Sequence, residues 1–277
     1  MDRGKIVYKE SNCYVPFEPK KQDEVNLKNE IRKAVGGLAV GTNEVLLASY
    51  AEGSSVGNYK YDLENILFYN IGTGAFSKIF SGFPKEIAFQ MGDNLSDGKY
   101  LYKYEVIRKE VLENKFAGKD SIAEWNDVPI GPKQGQNDKP DRYYVAIRRA
   151  SSKIIVDSKQ DYFDIESFGI KITLTIPNSA RYLRVHPASV MKPLLDGVIC
   201  AFHGENEEST KAIQKRFKEQ HPEKLLQGTE KLNLFGNHNY LTKSNRWNPE
   251  DDRLRLGWII LKCEGDEYKM SGSIYKL

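Results

Sequence analysis

The chain has little of what usually announces a function. Its three cysteines, Cys13, Cys200 and Cys263, are odd in number and far apart with no C-x-x-C pair, which argues against a disulfide framework and against a cysteine zinc site. A reducing cytoplasm is the expected setting. The four histidines, His186, His203, His221 and His238, include no pair at i and i+4 and have no cysteine partners, so neither a helical two-histidine zinc site nor a zinc deaminase is indicated. Charge of one sign is also missing: 41 Lys plus Arg stand against 38 Asp plus Glu, a net +3, so no whole-molecule field draws the protein onto nucleic acid or an anionic bilayer. No stretch approaches the ~20 apolar residues that span a bilayer, and the start lacks the apolar core of a signal peptide, so a soluble protein with no membrane partner is expected. A phosphate cradle is suggested only superficially by Gly92 to Tyr100. Its glycines are one residue too far apart, and Tyr100 stands where a magnesium-binding Ser or Thr belongs.

What the chain does have is aromatic and apolar content sufficient for a real core, with 16 Tyr and 12 Phe that favour sheet. The expected fold is α+β, rich in antiparallel or mixed sheet, with helices at about 23–36, 188–195 and 207–219. Gly, Pro, Asn, Asp, Gln and Lys dominate 117–141, which reads as a linker or long loop between an N-terminal lobe (1–116) and a C-terminal lobe (142–277). The second lobe is expected to close on a β-hairpin of Leu254–Cys263 and Tyr268–Tyr275. Helix, glycine turn and buried strand follow one another both at 23–50 and at 188–202, a faint sign of related halves.

Residues 59–71 carry the strongest strand pattern. Tyr59, Tyr61, Leu63, Leu67, Tyr69 and Ile71 alternate onto one side, interrupted by the amide of Asn65. The same alternation puts Asp62 and Glu64 on one face with Lys60 beside them, an arrangement able to hold Mg²⁺ or Mn²⁺ or to position a water. Asp196, Glu205, Asp251 and Asp252, with Lys60 or Lys192, could join them as a metal-dependent nuclease or phosphodiesterase site. His203 could transfer protons there, or could cap the strand it is expected to end.

The feature that suggests binding most directly is Asp141 to Arg149, read as a strand. Arg142, Tyr144 and Arg148 then share a face around the small Ala146, extended by Arg181 and Arg184. A ring between guanidinium groups suits stacking on a base with phosphates alongside, so a nucleic acid or nucleotide-like ligand is the expected partner. A structural or protein-interaction module, acting through a protein partner or a homo-oligomer, is a third class. It predicts binding of neither metal nor nucleic acid.

Overall fold

A computed structural model describes residues 5–53, 62–93, 95–131, 140–157, 165–180, 185–241, 246–249 and 251–277. The first half runs β1 (Ile6–Ser11), α1 (Gln22–Val35), β2 (Glu44–Glu52), two helical turns (Asn65–Tyr69 and Thr73–Phe76), β3 (Lys85–Met91) and β4 (Tyr100–Arg108). Helix α2 (Lys109–Phe116) leads into β5 (Ser121–Pro129), α3 (Asp141–Arg149), the short β6 (Ile155–Val156) and β7 (Phe168–Ile176). Helices α4 (Pro187–Ala201), α5 (Glu207–Arg216) and α6 (Glu223–Leu226) follow, then β8 (Leu254–Cys263) and β9 (Lys269–Lys276). The α+β, sheet-rich expectation holds.

The strands form one nine-stranded mixed sheet in the order β1-β4-β2-β3-β8-β7-β9-β5-β6. Its two halves repeat. In the first, β3 runs parallel to β2, which is antiparallel to β4, which is antiparallel to β1. In the second, β8, β7, β9 and β5 follow one another with the same directions. The halves join through β3 and β8, antiparallel from Lys85 opposite Leu261 to Gln90 opposite Leu256, as a two-fold axis between them would require. One sheet therefore continues across both halves. Among the described residues, no helix is long and apolar enough to cross a membrane.

Side-chain alternation sends the central strands to two faces. Leu46, Ala48, Tyr50, Ile87 and Phe89 pack in the large core with α1, the turns at 65–76, α3 and α4. Val45, Leu47, Ala88, Leu256, Trp258 and Ile260 pack against Leu112 and Phe116 of α2 on the other face. Strands buried on both sides read as continuous apolar runs, as β2 and β8 do.

Several local expectations are corrected. The run after Asp62 is helical, not extended, because Leu63, Ile66, Leu67 and Ile71 make a helical stripe as well as a strand row. The stretch 141–149 is helix α3, and 187–201 is one helix, not a helix and a strand. Asp196-Gly197, read as a turn, is mid-helix. Gly197 is there because α3 crosses it: a Cβ would sit 2.3 Å from the Pro140 carbonyl oxygen. The expected linker or loop at 117–141 contains β5, whose Trp125 is a core residue, and residues 132–139 lie outside the described residues. The terminal hairpin is not formed. Strands β8 and β9 exist, but β7 is inserted between them and pairs with both, because a strand as apolar as Phe168–Ile176 is buried by neighbours on each side.

Candidate metal centre

Five charged side chains from three distant segments meet where the β2–β3 connection of the first half touches α4 of the second. Asp62 precedes the helical turn and caps it. Its Oδ2 accepts a hydrogen bond from Asn65 Nδ2 at 2.6 Å, and its carbonyl accepts the backbone N–H groups of Asn65 and Ile66. Glu64 follows within the turn and is 1% exposed. Pro187 opens α4, and Lys192 and Asp196 stand one turn apart on the same helical face. Asp251 opens the short turn Asp251–Arg253 that feeds β8.

Lys192 Nζ is the hub. It lies 2.9 Å from Asp196 Oδ1, 3.1 Å from Glu64 Oε1, and 3.5 Å from both Asp62 Oδ2 and Asp251 Oδ2. Asp62, Glu64 and Asp251 can each offer an oxygen so that all three lie within 4.8 Å of one another. Adjacent ligands of an octahedral Mg²⁺ are about 3.0 Å apart and opposite ones about 4.2 Å, so the three oxygens would have to draw together to share one ion. Glu64 Oε2 is buried, and no donor among the described residues reaches it. An all-oxygen donor set with an orphaned buried carboxylate oxygen fits Mg²⁺ or Mn²⁺.

The charge balance points the same way. Among the described residues four carboxylates face one ammonium, and like charges at such separations repel by on the order of 3 kcal/mol per pair at an effective dielectric of about 20. That one cation does not offset them all, and protons or a metal ion are suited to supply the rest. Burial, opposed by Lys192, pushes Asp196 up to about 6. Burial, then the charge of Glu64, holds Asp251 well above the usual carboxylate range, and Lys192 is raised by the surrounding acids. Cys200, one turn beyond Asp196, is kept a neutral thiol by burial, so it is no nucleophile.

The cluster opens through Asp62 and Lys192 into a cleft of about 410 Å³ lined also by Tyr14, Phe17, Asn65, Tyr69 and Asn70. A larger cavity of about 540 Å³, with Arg142, Arg149 and Lys153 on its wall, lies along α3 and, among the described residues, holds no comparable group of acids.

The other residues singled out in the sequence are dispersed. Lys60, Arg181 and Arg184 lie outside the described residues. Arg142, Tyr144 and Arg148 do not form a sheet face, because the helix turns Arg142 away from Tyr144 and Arg148, which stay together four residues apart. Arg142 lies over the rings of Tyr143 and Tyr268, whereas Tyr144 and Arg148 are buried. Glu205 pairs with Arg148 and not with the other acids. Lys192 and Asp196 were within reach of sequence reading as an i,i+4 pair, but only with 187–201 read as one helix.

His203 belongs to the scaffold. Its Nε2 is 2.8 Å from the Pro249 carbonyl oxygen and its Nδ1 3.3 Å from that of Gly236, and the ring is 1% exposed. Burial pushes its pKa down to about 4 although both carbonyls favour the charged form. Because the folded pKa lies below the unfolded value of about 6.5, the stability this group contributes is present above pH 6.5 and is lost as the pH falls towards 4, by roughly 3 kcal/mol. His186 acts in the same direction, and Asp196 and Asp251 in the opposite one, so the contribution is read as a difference. Denaturant melts should show the gap between the parent and His203→Gln narrowing from pH 7 to pH 4. A gap independent of pH would contradict the neutral, buried assignment.

The chain matches no protein-family model, no curated protein and no solved structure.

Proposed function

We propose that this protein is a divalent-cation-dependent phosphodiesterase, with Mg²⁺ or Mn²⁺ held by Asp62, Glu64 and Asp251 and with Lys192 serving the phosphate. The observation that carries the reading is the convergence of these acids from both halves of the chain, with a buried Glu64 oxygen that no donor among the described residues reaches. The cation would activate a water and polarise a phosphoryl oxygen. The residues of the chain do the rest. Asp196 holds the Lys192 ammonium from one turn away, so Lys192 keeps a partner when the other acids turn to a cation. It can then neutralise a phosphate oxygen that enters along the cleft it lines. In the reaction the water oxygen bonds to phosphorus, one P–O ester bond breaks, and the departing oxygen takes a proton to leave as an alcohol.

Titration calorimetry of the metal-free protein with Mn²⁺ should show binding that weakens tenfold or more in Glu64→Gln. Hydrolysis of bis(4-nitrophenyl) phosphate in Mn²⁺ or Mg²⁺ should vanish in excess EDTA and fall in the same variant. Glu64→Gln removes a like charge from a crowded group, so the metal-free variant should melt no lower than the parent, which separates lost function from lost fold. A parent that takes up no Mn²⁺, or that hydrolyses the diester equally well in EDTA, would refute the proposal.

A further inference from the structure

The mouth of this cleft carries two large apolar side chains in water. Phe17 is 53% exposed and Tyr69 46%, and their rings stack on each other with centroids 5.0 Å apart and planes 9° from parallel. Exposed aromatic surface has a solvation cost, and here the two rings are also held in position. Val15, just before the Pro16-Phe17 pair, is fully buried. Its N–H donates to the Tyr102 hydroxyl at 2.8 Å and its carbonyl accepts from Asn70 Nδ2 at 3.0 Å. The Phe17 carbonyl accepts from Lys28 Nζ at 2.9 Å. Tyr69 ends the helical turn that begins just after Asp62. The turn that follows Asp62 and Glu64 therefore also presents one ring of the platform.

We infer that the Phe17–Tyr69 pair is a stacking platform for an unpaired nucleobase, which makes single-stranded nucleic acid the substrate of the proposed diesterase. This deepens the reading above and rests on it. Three features of the site fit that occupant. The rings, Asp62 and Lys192 line one cleft, so a strand with a base on the platform would share that cleft with an acid and the ammonium. The volume of about 410 Å³ is in the range of sites that take a nucleotide-sized group. Lys20 and Lys21 follow Phe17 in the chain and Lys28 holds its carbonyl, so cations stand close to the rings for neighbouring phosphates, with Glu18 and Glu24, whose carboxylate accepts the Lys20 and Lys21 N–H groups, as acids among them. A base within a duplex has both faces covered by its neighbours and could not lie on the platform. Aromatic stacking accepts every base, so little sequence preference is expected.

The test separates base from backbone. Fluorescence anisotropy in Ca²⁺ would compare a nine-nucleotide oligothymidylate with an abasic strand of the same length and charge, for the parent, the Phe17→Ala, Tyr69→Ala double variant, and Tyr69→Phe. The parent should bind the base-bearing strand about tenfold more tightly than the abasic one. The double variant should lose that preference while binding the abasic strand as before, and Tyr69→Phe should keep it. Both changed residues are exposed, so an unchanged melting temperature is expected. A parent that binds both strands equally, or a double variant that keeps the preference, overturns the platform. Mn²⁺ calorimetry and cleavage of the abasic strand on the same samples report on the metal centre alone, so loss of the platform and loss of the diesterase reading give different results.

Discussion

Lys192→Met is expected to cost the metal-free protein about 3 kcal/mol at pH 7.5, the low end for a broken buried pair because Lys192 itself is partly exposed. The loss comes from the acids left behind. Glu64 and Asp251 are almost fully buried and Asp196 nearly so, and the ammonium that faces all four carboxylates is gone. Two interventions should repair the variant. Lowering the pH is the first: Asp196 and Asp251 already have folded pKa values above their unfolded ones, so the stability linked to them is present below about pH 4 and is lost as the pH rises through the folded values. Without Lys192 those values rise further, so the gap between variant and parent should shrink between pH 7.5 and pH 5. The second is Mn²⁺, which at a hundredfold excess over its dissociation constant adds about 2.7 kcal/mol to any protein that binds it only when folded. Melting at two pH values with and without Mn²⁺ measures all of this, and a shift of roughly 5–10 °C is expected for the variant at neutral pH. A deficit insensitive to both pH and Mn²⁺ would mean that Lys192 matters only through its packing.

The sequence made the composition of this site legible before its geometry. Asp62, Glu64, Asp196, Asp251 and Lys192 could all be picked out by residue type, but they are brought together by a helix crossing that no periodicity encodes. Asn65 was the useful anomaly. In a strand it interrupts an apolar row, whereas in a helical turn it bonds Asp62, three residues earlier, and so has an ordinary place. Short apolar runs misled because they do not distinguish a buried strand from a buried helix: Val45 to Ala51 is strand and Tyr143 to Ile147 is helix, with every one of those side chains but Ser49 apolar or aromatic. The duplicated topology was not what the recurrence of element order picked out: it matched 23–50 with 188–202, which is the single helix α4, whereas α1 and β2 correspond in the sheet to α3 and β7. Its demonstration needed strand directions and the β3–β8 pairing, which are long-range facts. The displaced terminal hairpin has the same cause, since a five-residue connection reads alike whether it joins neighbouring strands or steps over a third.

Arg148→Met should destabilise the protein by about 3–5 kcal/mol, the largest single-site loss expected here. Read as a residue of a solvated sheet face, Arg148 would be replaceable within about 0.5 kcal/mol. Its surroundings say otherwise. The side chain is fully buried on α3, with Nη1 bonded to Glu205, Nη2 donating to the His203 carbonyl at 2.6 Å, and the guanidinium 5.2 Å from the Tyr144 ring centroid. Tyr144 in turn shares a hydroxyl contact of 3.0 Å with Tyr240 and stacks parallel on Phe217. Methionine fills comparable space but strands the Glu205 carboxylate and the His203 carbonyl. Arg148→Lys keeps the charge yet offers a point donor in place of a planar fork, so it should recover only part of the loss. Adding Glu205→Gln to Arg148→Met removes the stranded charge and should restore more than Arg148→Lys does, because the penalty lies in the unpaired carboxylate and not in the missing attraction. Burial already raises the Glu205 pKa, so the single variant should also lose less at pH 5 than at pH 8. If Arg148→Met melts with the parent at pH 8, the buried pair is not there and the residue faces solvent.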